Sequence, residues 1–128
     1  MEPIQLFALA SKQAEWLAVR QEVVAGNIAN ANTPKYKAKD VTPFSAVLAG
    51  TETRMARTNV AHFAESDLSA DVRVKEAELN DEIGVQISGN SVALESELTK
   101  TGQIKREYEL NTNLVSSFHR MMLMTVKR

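Results

Sequence analysis

The stretch GNIANANTPKYKAKD, residues 26–40, decides how the N-terminal part of the chain is organised. Three asparagines fall within its first seven positions, and Thr33 and Pro34 follow at once. Asparagine favours turns because its side chain bonds to nearby backbone, and a residue that precedes proline avoids the helical region. We therefore predict that a helix ends here in a sharp turn, and that asparagine side chains bond to the carbonyls that the helix leaves free.

The segment before this turn, residues 4–31, has the spacing of one long helix. It contains no proline and a single glycine, and seven positions recur at alternating steps of three and four. That spacing is typical of a coiled-coil seam. The N-terminal seam consists of Phe7, Ala10, Ala14, Leu17, Gln21, Val24 and Ile28. Trp16 lies beside this seam, where it either widens the buried face or marks a second contact surface.

The last segment, residues 91–128, repeats the pattern. It lacks proline, and its positions again step by three and four. The C-terminal seam consists of Leu94, Glu97, Thr101, Ile104, Tyr108, Asn111, Val115, Phe118, Met122 and Thr125. The residues that flank it are Leu98, Leu110, Leu114 and Met121. We predict a second long helix with Asn90 or Ser91 as its N-cap.

Residues 32–90 have a different character. Within VTPFSAVLAG (41–50), Pro43 can start a short helix and the glycine can end it. Residues 65–82 carry seven acidic side chains against two basic ones, and DVRVKEAEL alternates weakly, as an exposed strand or hairpin does. These acids lack the spacing of a calcium loop, so they indicate a solvated surface.

The expected fold class is therefore mainly all-α, with one domain over residues 1–128. The long N- and C-terminal helices pack as a coiled-coil-like hairpin, and the loosely structured middle contains a short helix and a possible β-hairpin. A two-helix hairpin leaves its outer faces exposed and is marginal alone. This pattern favours a protein that packs against other chains over a catalyst.

The composition argues against several other classes of function. A net charge of −1 does not favour binding of nucleic acid, and no apolar run approaches the roughly 18 residues of a membrane-spanning helix. There is no cysteine, and His62 and His119 lack ligand-like spacing. Lys35, Lys37 and Lys39 are expected to form a solvated face. We expect no catalytic residue, no cofactor, no metal, no membrane insertion and no cleaved N-terminal signal.

The turn motif NIANANTPKYK resembles the signature that closes the N-terminal helix of bacterial flagellar rod and hook proteins. There, Asn-(Ile/Leu)-Ala-Asn is followed after two residues by Thr, and after one more by Gly-Tyr-(Lys/Arg). The segments FSAVLAG, RTNVAHF (57–63) and GNSVALESEL (89–98) are similar to those of the family's short proximal-rod member. The resemblance selects, in the turn, Asn27, Ile28, Asn30, Thr33, Pro34, Tyr36 and Lys37. At the entry to the C-terminal helix, it selects Gly89, Asn90, Ser91 and Val92.

Two residues depart from the family pattern. Lys35 stands where the family usually has glycine, which implies a positive φ that lysine adopts at a cost of about 1 kcal/mol or more, or else a different turn. Ala93 stands where aspartate is common, so any capping role passes to Asn90, Ser91 or Glu95.

The resemblance implies a structural subunit of the proximal rod, part of a helical tube that transmits torque through the periplasm and continues the export channel. Its partners would be copies of itself, other rod proteins, the hook-basal-body adaptor, and the export gate and membrane ring. It would be exported without a cleaved signal peptide. Tyr36 would dock the turn on the C-terminal helix or on the next subunit. The sequence pattern alone also allows a cytoplasmic helical-hairpin adaptor or regulator, and more weakly an enzyme built on His62 or His119.

Overall fold

The computed structural model describes residues 3–51, 72–77 and 85–127. In chain order, its elements are helix α1 (Pro3–Ala29), strand β1 (Lys39–Val41), helix α2 (Phe44–Thr51), strand β2 (Val74–Glu76) and helix α3 (Leu94–Val126). Helices α1 and α3 pack against each other, so the predicted mainly helical class with two long terminal helices is confirmed.

The two long helices run antiparallel. Helix α1 has 27 residues and α3 has 33, so they are about 40 and 50 Å long. At one end the Phe7 and Phe118 rings meet edge to face with centroids 5.7 Å apart. At the other end Asn27 donates a hydrogen bond to Glu97. In the described ranges, no helix is long and apolar enough to cross a membrane.

The seam residues differ in how deeply this packing buries them. Leu17, Val24 and Ile104 belong to the buried core. The half-buried members are Phe7, Ala14, Ile28, Val115, Phe118 and Met122. Leu94 and Tyr108 are exposed, so they are not part of the core between the helices. A straight helix turns about 100° per residue, so positions spaced by three and four drift away from the contact line.

Trp16 widens the buried face of α1 and joins it to the start of α2. Its indole Nε1 donates to the backbone oxygen of Thr42 at 2.8 Å, and its ring lies 5.6 Å from that of Phe44. The guanidinium of Arg20 covers the indole at 5.2 Å from the ring centroid. Helix α2 follows Pro43, as predicted, and continues one residue past Gly50.

The small sheet corrects the predicted hairpin. The exposed strand expected in DVRVKEAEL exists as β2, but it pairs antiparallel with β1, with Val41 opposite Val74. The ladder continues on both sides through backbone bonds that join Thr42 to Arg73 and Ala77 to Ala38. Three-residue strands are too short to leave a sequence pattern, so this long-range pairing could not be predicted. The segment RTNVAHF with His62, and most of the acidic stretch, lie outside the described residues.

The predicted N-cap of α3 is wrong. The capping position is Ala93, with extended backbone at φ −96° and ψ 98° and no side-chain cap. Glu95 and Glu97 occupy the first turn, where negative charge interacts favourably with the helix dipole. The two residues expected at this cap, Asn90 and Ser91, bond instead to the turn after α1 and to the segment that leads into β1.

Candidate functional site

The end of α1, the turn after it and the approach to α3 form one tightly bonded unit. We call this unit, residues 26–40 and 85–97, the corner. It contains all the turn and entry residues that the sequence singled out. The end of α1, the turn and the approach to α3 pack together here. Their backbone polar groups that become buried therefore need hydrogen-bond partners.

Asn27 joins the last turn of α1 to the start of β1. Its side chain is 0% exposed. Its Nδ2 donates to the Lys39 carbonyl at 2.7 Å, and its Oδ1 accepts from the Lys39 N–H at 3.0 Å. The carboxamide therefore pairs with both backbone groups of one residue, as a neighbouring strand would. The same Nδ2 also donates to Glu97 Oε2 at 3.0 Å, which brings α3 into the bonded unit.

Asn30 lies at the end of α1, where the sequence predicts that the helix stops. Its Nδ2 donates to the Gly26 carbonyl at 2.8 Å, but that carbonyl also accepts the Asn30 N–H at 3.1 Å, so it is not one that the helix leaves free. The Thr33 hydroxyl donates to Asn30 Oδ1 at 3.1 Å, and the Thr33 N–H donates to the Asn30 carbonyl at 3.0 Å. The third asparagine of the stretch, Asn32, is exposed.

Asn90 caps the end of α1 and not the start of α3, which corrects the sequence prediction. It is 0% exposed, and its Nδ2 lies 2.8, 3.0 and 2.8 Å from the carbonyl oxygens of Asn30, Ala31 and Thr33. Its Oδ1 accepts from the Val92 N–H at 2.7 Å. One side chain from 60 residues away thus binds three carbonyls of the turn, of which the Asn30 and Thr33 carbonyls also accept a backbone N–H.

Lys35 and Gly89 pack against each other with left-handed backbone. Lys35 has φ +60° and Gly89 has φ +80°. A Cβ on Gly89 would lie 3.6 Å from Lys35 Cα, and the Lys35 N–H donates to the Ser88 carbonyl at 3.0 Å. The positive φ that the family's glycine implies is therefore present at Lys35, where a lysine side chain costs about 1 kcal/mol.

Within the single chain, the Tyr36 side chain bonds to Asn27 of α1. The residue is half-buried, and its hydroxyl lies 3.5 Å from Asn27 Oδ1, a long and weak hydrogen bond. Its carbonyl accepts from the Ser91 N–H at 3.1 Å, and the Ser91 hydroxyl accepts from the Ala38 N–H at 2.9 Å. The turn is thereby joined to the approach to α3 as two strands would be.

Glu97 is a carboxylate that α3 places inside the corner. It is 3% exposed and lies 3.0 Å from Lys100 Nζ as well as from Asn27. The same ammonium lies 3.5 Å from Asp40 in β1. A buried carboxylate requires such partners, because removal from water destabilises an unpaired charge strongly. No pattern in the sequence marked Glu97 as more than a seam position.

The remaining sequence-selected residues lie around this network. Ile28 is half-buried against the core, and Val92 is buried. Pro34 and Lys37 are exposed, together with the other two lysines of the turn. In the described ranges, no three histidine, aspartate or glutamate side chains are grouped so that they could hold a metal ion. The corner is a hydrogen-bonded network of backbone, carboxamide and carboxylate groups.

A network of this kind between two long terminal helices agrees with the class that the turn motif indicates. Residues 16–37, which include the end of α1 and most of the turn, match the family model described as flagella basal body rod protein. That match lies on the segment where Trp16, Asn27, Asn30 and Tyr36 make their contacts.

Individual relatives narrow the class further. The chain is 67% identical over 130 residues to the flagellar basal body rod protein FlgB of Agrobacterium fabrum, covering 100% of this chain and 97% of the relative. It is 30% identical to FlgB of Bacillus subtilis over 71% of this chain and 69% of the relative. For FlgB of Borrelia hermsii the identity is 28% over 93% of each chain. The chain belongs to the FlgB family of flagellar basal body rod proteins, which confirms the predicted structural rod function and gives no support to a cytoplasmic adaptor.

Proposed function

We propose that this chain builds the proximal part of the rod, where α1 and α3 form part of the wall of a helical tube. The observation that carries the proposal is the corner, in which three buried polar side chains join α1, β1 and α3 through hydrogen bonds. Those side chains are Asn27, Asn90 and Glu97. Together with membership of the FlgB family, this arrangement favours a load-transmitting element.

The mechanism is packing and torque transmission. Hydrogen bonds are directional, so a buried network resists a change in the angle between α1, the turn and β1 more than apolar contacts would. Rotation applied to one subunit would then pass to the next without bending at the turn. The corner would orient the subunit against its neighbours, and the tube would continue the export channel.

The remaining parts of the proposal concern location, partners and organisation. We place the subunit in the periplasmic rod of the basal body, exported without a cleaved signal peptide. Its partners would be copies of itself, other rod proteins, the hook-basal-body adaptor, and the export gate or membrane ring. It would act as a single domain, without catalysis. The rod proteins to which the chain is similar support an assembly role of this kind.

A motility experiment on Tyr36 tests the role of the corner. Tyr36→Ala removes a half-buried ring from the turn, whereas Tyr36→Phe removes only a hydroxyl whose bond is 3.5 Å long. We expect the alanine variant to swim several-fold more slowly and to yield fewer rods, with the chain still expressed, because the loss is about 2 kcal/mol. The phenylalanine variant should swim like the parent.

Basal bodies purified from both strains complete the test. A Tyr36→Ala strain that swims like the parent and has normal rods would contradict the proposed role of the corner. Absence of the parent chain from purified basal bodies would contradict the proposed function as a whole.

A further inference from the structure

One flank of α3 carries an apolar stripe that no described residue covers. Leu110 and Leu114 are 69% and 53% exposed, and Met121 and Met124 are also exposed. With Ser117 these residues step by four, three, four and three, the spacing of a coiled-coil seam. We call this stripe (Leu110, Leu114, Ser117, Met121 and Met124) the ridge. It is distinct from the seam that packs on α1.

A groove lies between α1 and α3 at the same level of the helix pair. Its volume is about 270 Å³, and its walls include Phe7, Ala10 and Ala14 from α1 and Tyr108 and Val115 from α3. An apolar cavity of about 150 Å³ holds a benzene ring, so this groove is large enough for aliphatic side chains of a third helix. The small alanines allow a helix to approach closely.

Asn111 adds an unused polar group to the groove. Its Nδ2 donates to the Ala10 carbonyl at 2.8 Å across the helix pair. Its Oδ1 is buried and has no hydrogen-bond partner within the part of the chain that the structure describes. An unpaired buried acceptor is costly, and a hydroxyl donor seated in the groove would satisfy it. The ridge carries such a donor at its third position, Ser117.

The ridge and the groove lie on opposite flanks of α3. At 3.6 residues per turn, Leu110 and Leu114 project roughly 100° to one side of the buried line through Ile104 and Asn111. Tyr108 and Thr112, on the groove side, project roughly 70° to the other. A surface and its complement on opposite sides of one chain produce head-to-tail contacts, which close into rings or continue as helical tubes.

We propose that the ridge of one copy of this chain seats in the α1–α3 groove of the next copy. The proposal rests on the proposed rod function and adds the surface through which like subunits meet. A second copy is the occupant because the groove and its complement occur on the same chain, and a shift of about 9 Å along the helix axis brings Ser117 of one copy level with Asn111 of the next. Ridge-on-ridge pairing would instead close a dimer and leave both grooves empty.

Cross-linking in assembled basal bodies tests the pairing. Because the chain has no cysteine, one strain can express a Ser11→Cys copy and a Leu114→Cys copy without reaction at any other position of this chain. Ser11 lines the groove, and both positions are exposed in the single chain. With a short bismaleimide reagent, we expect a peptide that links position 11 of one copy to position 114 of another. Leu98→Cys, an exposed leucine of α3 outside the ridge, replaces Leu114→Cys in the control and should give no link.

Several outcomes would overturn the pairing. They are a 114-to-114 link, a link from position 114 to a different protein, and no link in basal bodies that contain both copies. Absence of the chain from basal bodies would instead refute the rod function on which the pairing rests.

A second variant measures the contribution of the ridge without relying on cross-linker reach. Leu110→Ser with Leu114→Ser should leave the unfolding midpoint of the purified chain unchanged, because both side chains are exposed there. It should lower the amount of the chain in basal bodies by about tenfold or more, because the variant lacks the two apolar side chains that the parent would bury on assembly. Leu98→Ser should change that amount less than about twofold. Equal amounts for all three chains would refute the pairing.

Discussion

At the corner, Asn27, Asn90 and Glu97 are almost fully buried, and hydrogen bonds connect each of them to a distant part of the chain. At the opposite end of the helix pair, Phe7 and Phe118 are half-buried rings in edge contact. Beyond them, the last turn of α3 is exposed. The corner is held by buried polar groups that bond within the chain, whereas the far end of α3 has few buried groups and leaves a run of apolar side chains uncovered.

The difference separates two physical tasks. Directional polar bonds define an angle even in a single chain, whereas apolar surface gains free energy only when something covers it. Under the proposed function, the corner would set the geometry of the subunit before assembly, and the far end would supply the driving force for assembly. In a rod subunit, such a division allows the shape to be set independently of the neighbours.

The strongest test of this division is Asn90→Ala. The change removes the donor that three carbonyls share and the acceptor of the Val92 N–H. The Asn30 and Thr33 carbonyls keep their backbone donors, but the Ala31 carbonyl and the Val92 N–H lose Asn90, so the free energy of unfolding should fall by about 3–4 kcal/mol. Urea unfolding of the purified chain measures this loss. Asn32→Ala, in the exposed asparagine of the same turn, is the matched control and should change stability by about 0.5 kcal/mol or less.

A double-mutant cycle tests whether Asn27 and Glu97 act together. Asn27→Asp replaces the amide that donates to Glu97 with a second carboxylate in a buried site, and should cost about 3 kcal/mol. Adding Glu97→Gln restores a donor and removes one charge, so the coupling energy should be about 1–2 kcal/mol. Additive effects of the two changes would mean that the 3.0 Å contact contributes nothing specific.

Phe118→Ala measures the far end of the helix pair. Its ring is only half-buried in the single chain, so its removal should lower the free energy of unfolding by about 1–2 kcal/mol, less than for a fully buried phenylalanine. A loss as large as that of Asn90→Ala would show that the far end also holds the single chain together. The contrast between the two ends would then fail.

The smallest expected effect has the opposite sign. Lys35→Gly removes the side chain that makes the φ of +60° unfavourable. We expect this gain in stability to exceed the loss that comes from the greater conformational entropy of glycine in the unfolded chain. We expect the free energy of unfolding to rise by about 0.5–1 kcal/mol. Lys35→Ala keeps the Cβ and should leave stability unchanged, so a rise in both variants would point to the charge and not to the backbone.

Several features of the fold could be predicted from local sequence. Steps of three and four predict the two long helices, because helical periodicity is a property of neighbouring residues. Asn30, Thr33 and Pro34 predict the end of α1, since their effect on the backbone is also local. The turn motif was sufficient to indicate the rod family. The exposure of the three turn lysines followed from their charge.

Other features depended on contacts between residues far apart in the chain. Asn90 is of a residue type that favours N-caps and precedes α3 in sequence. Its side chain nevertheless bonds to three carbonyls of the turn after α1, which are 57 to 60 residues away in sequence. Glu97 and Asn27 are 70 positions apart, and nothing in either segment predicts their pairing. Local sequence thus determined which elements form and where they end. Only the tertiary structure decided which polar groups they bury together, because burial depends on what packs against a residue and not on its neighbours in the chain.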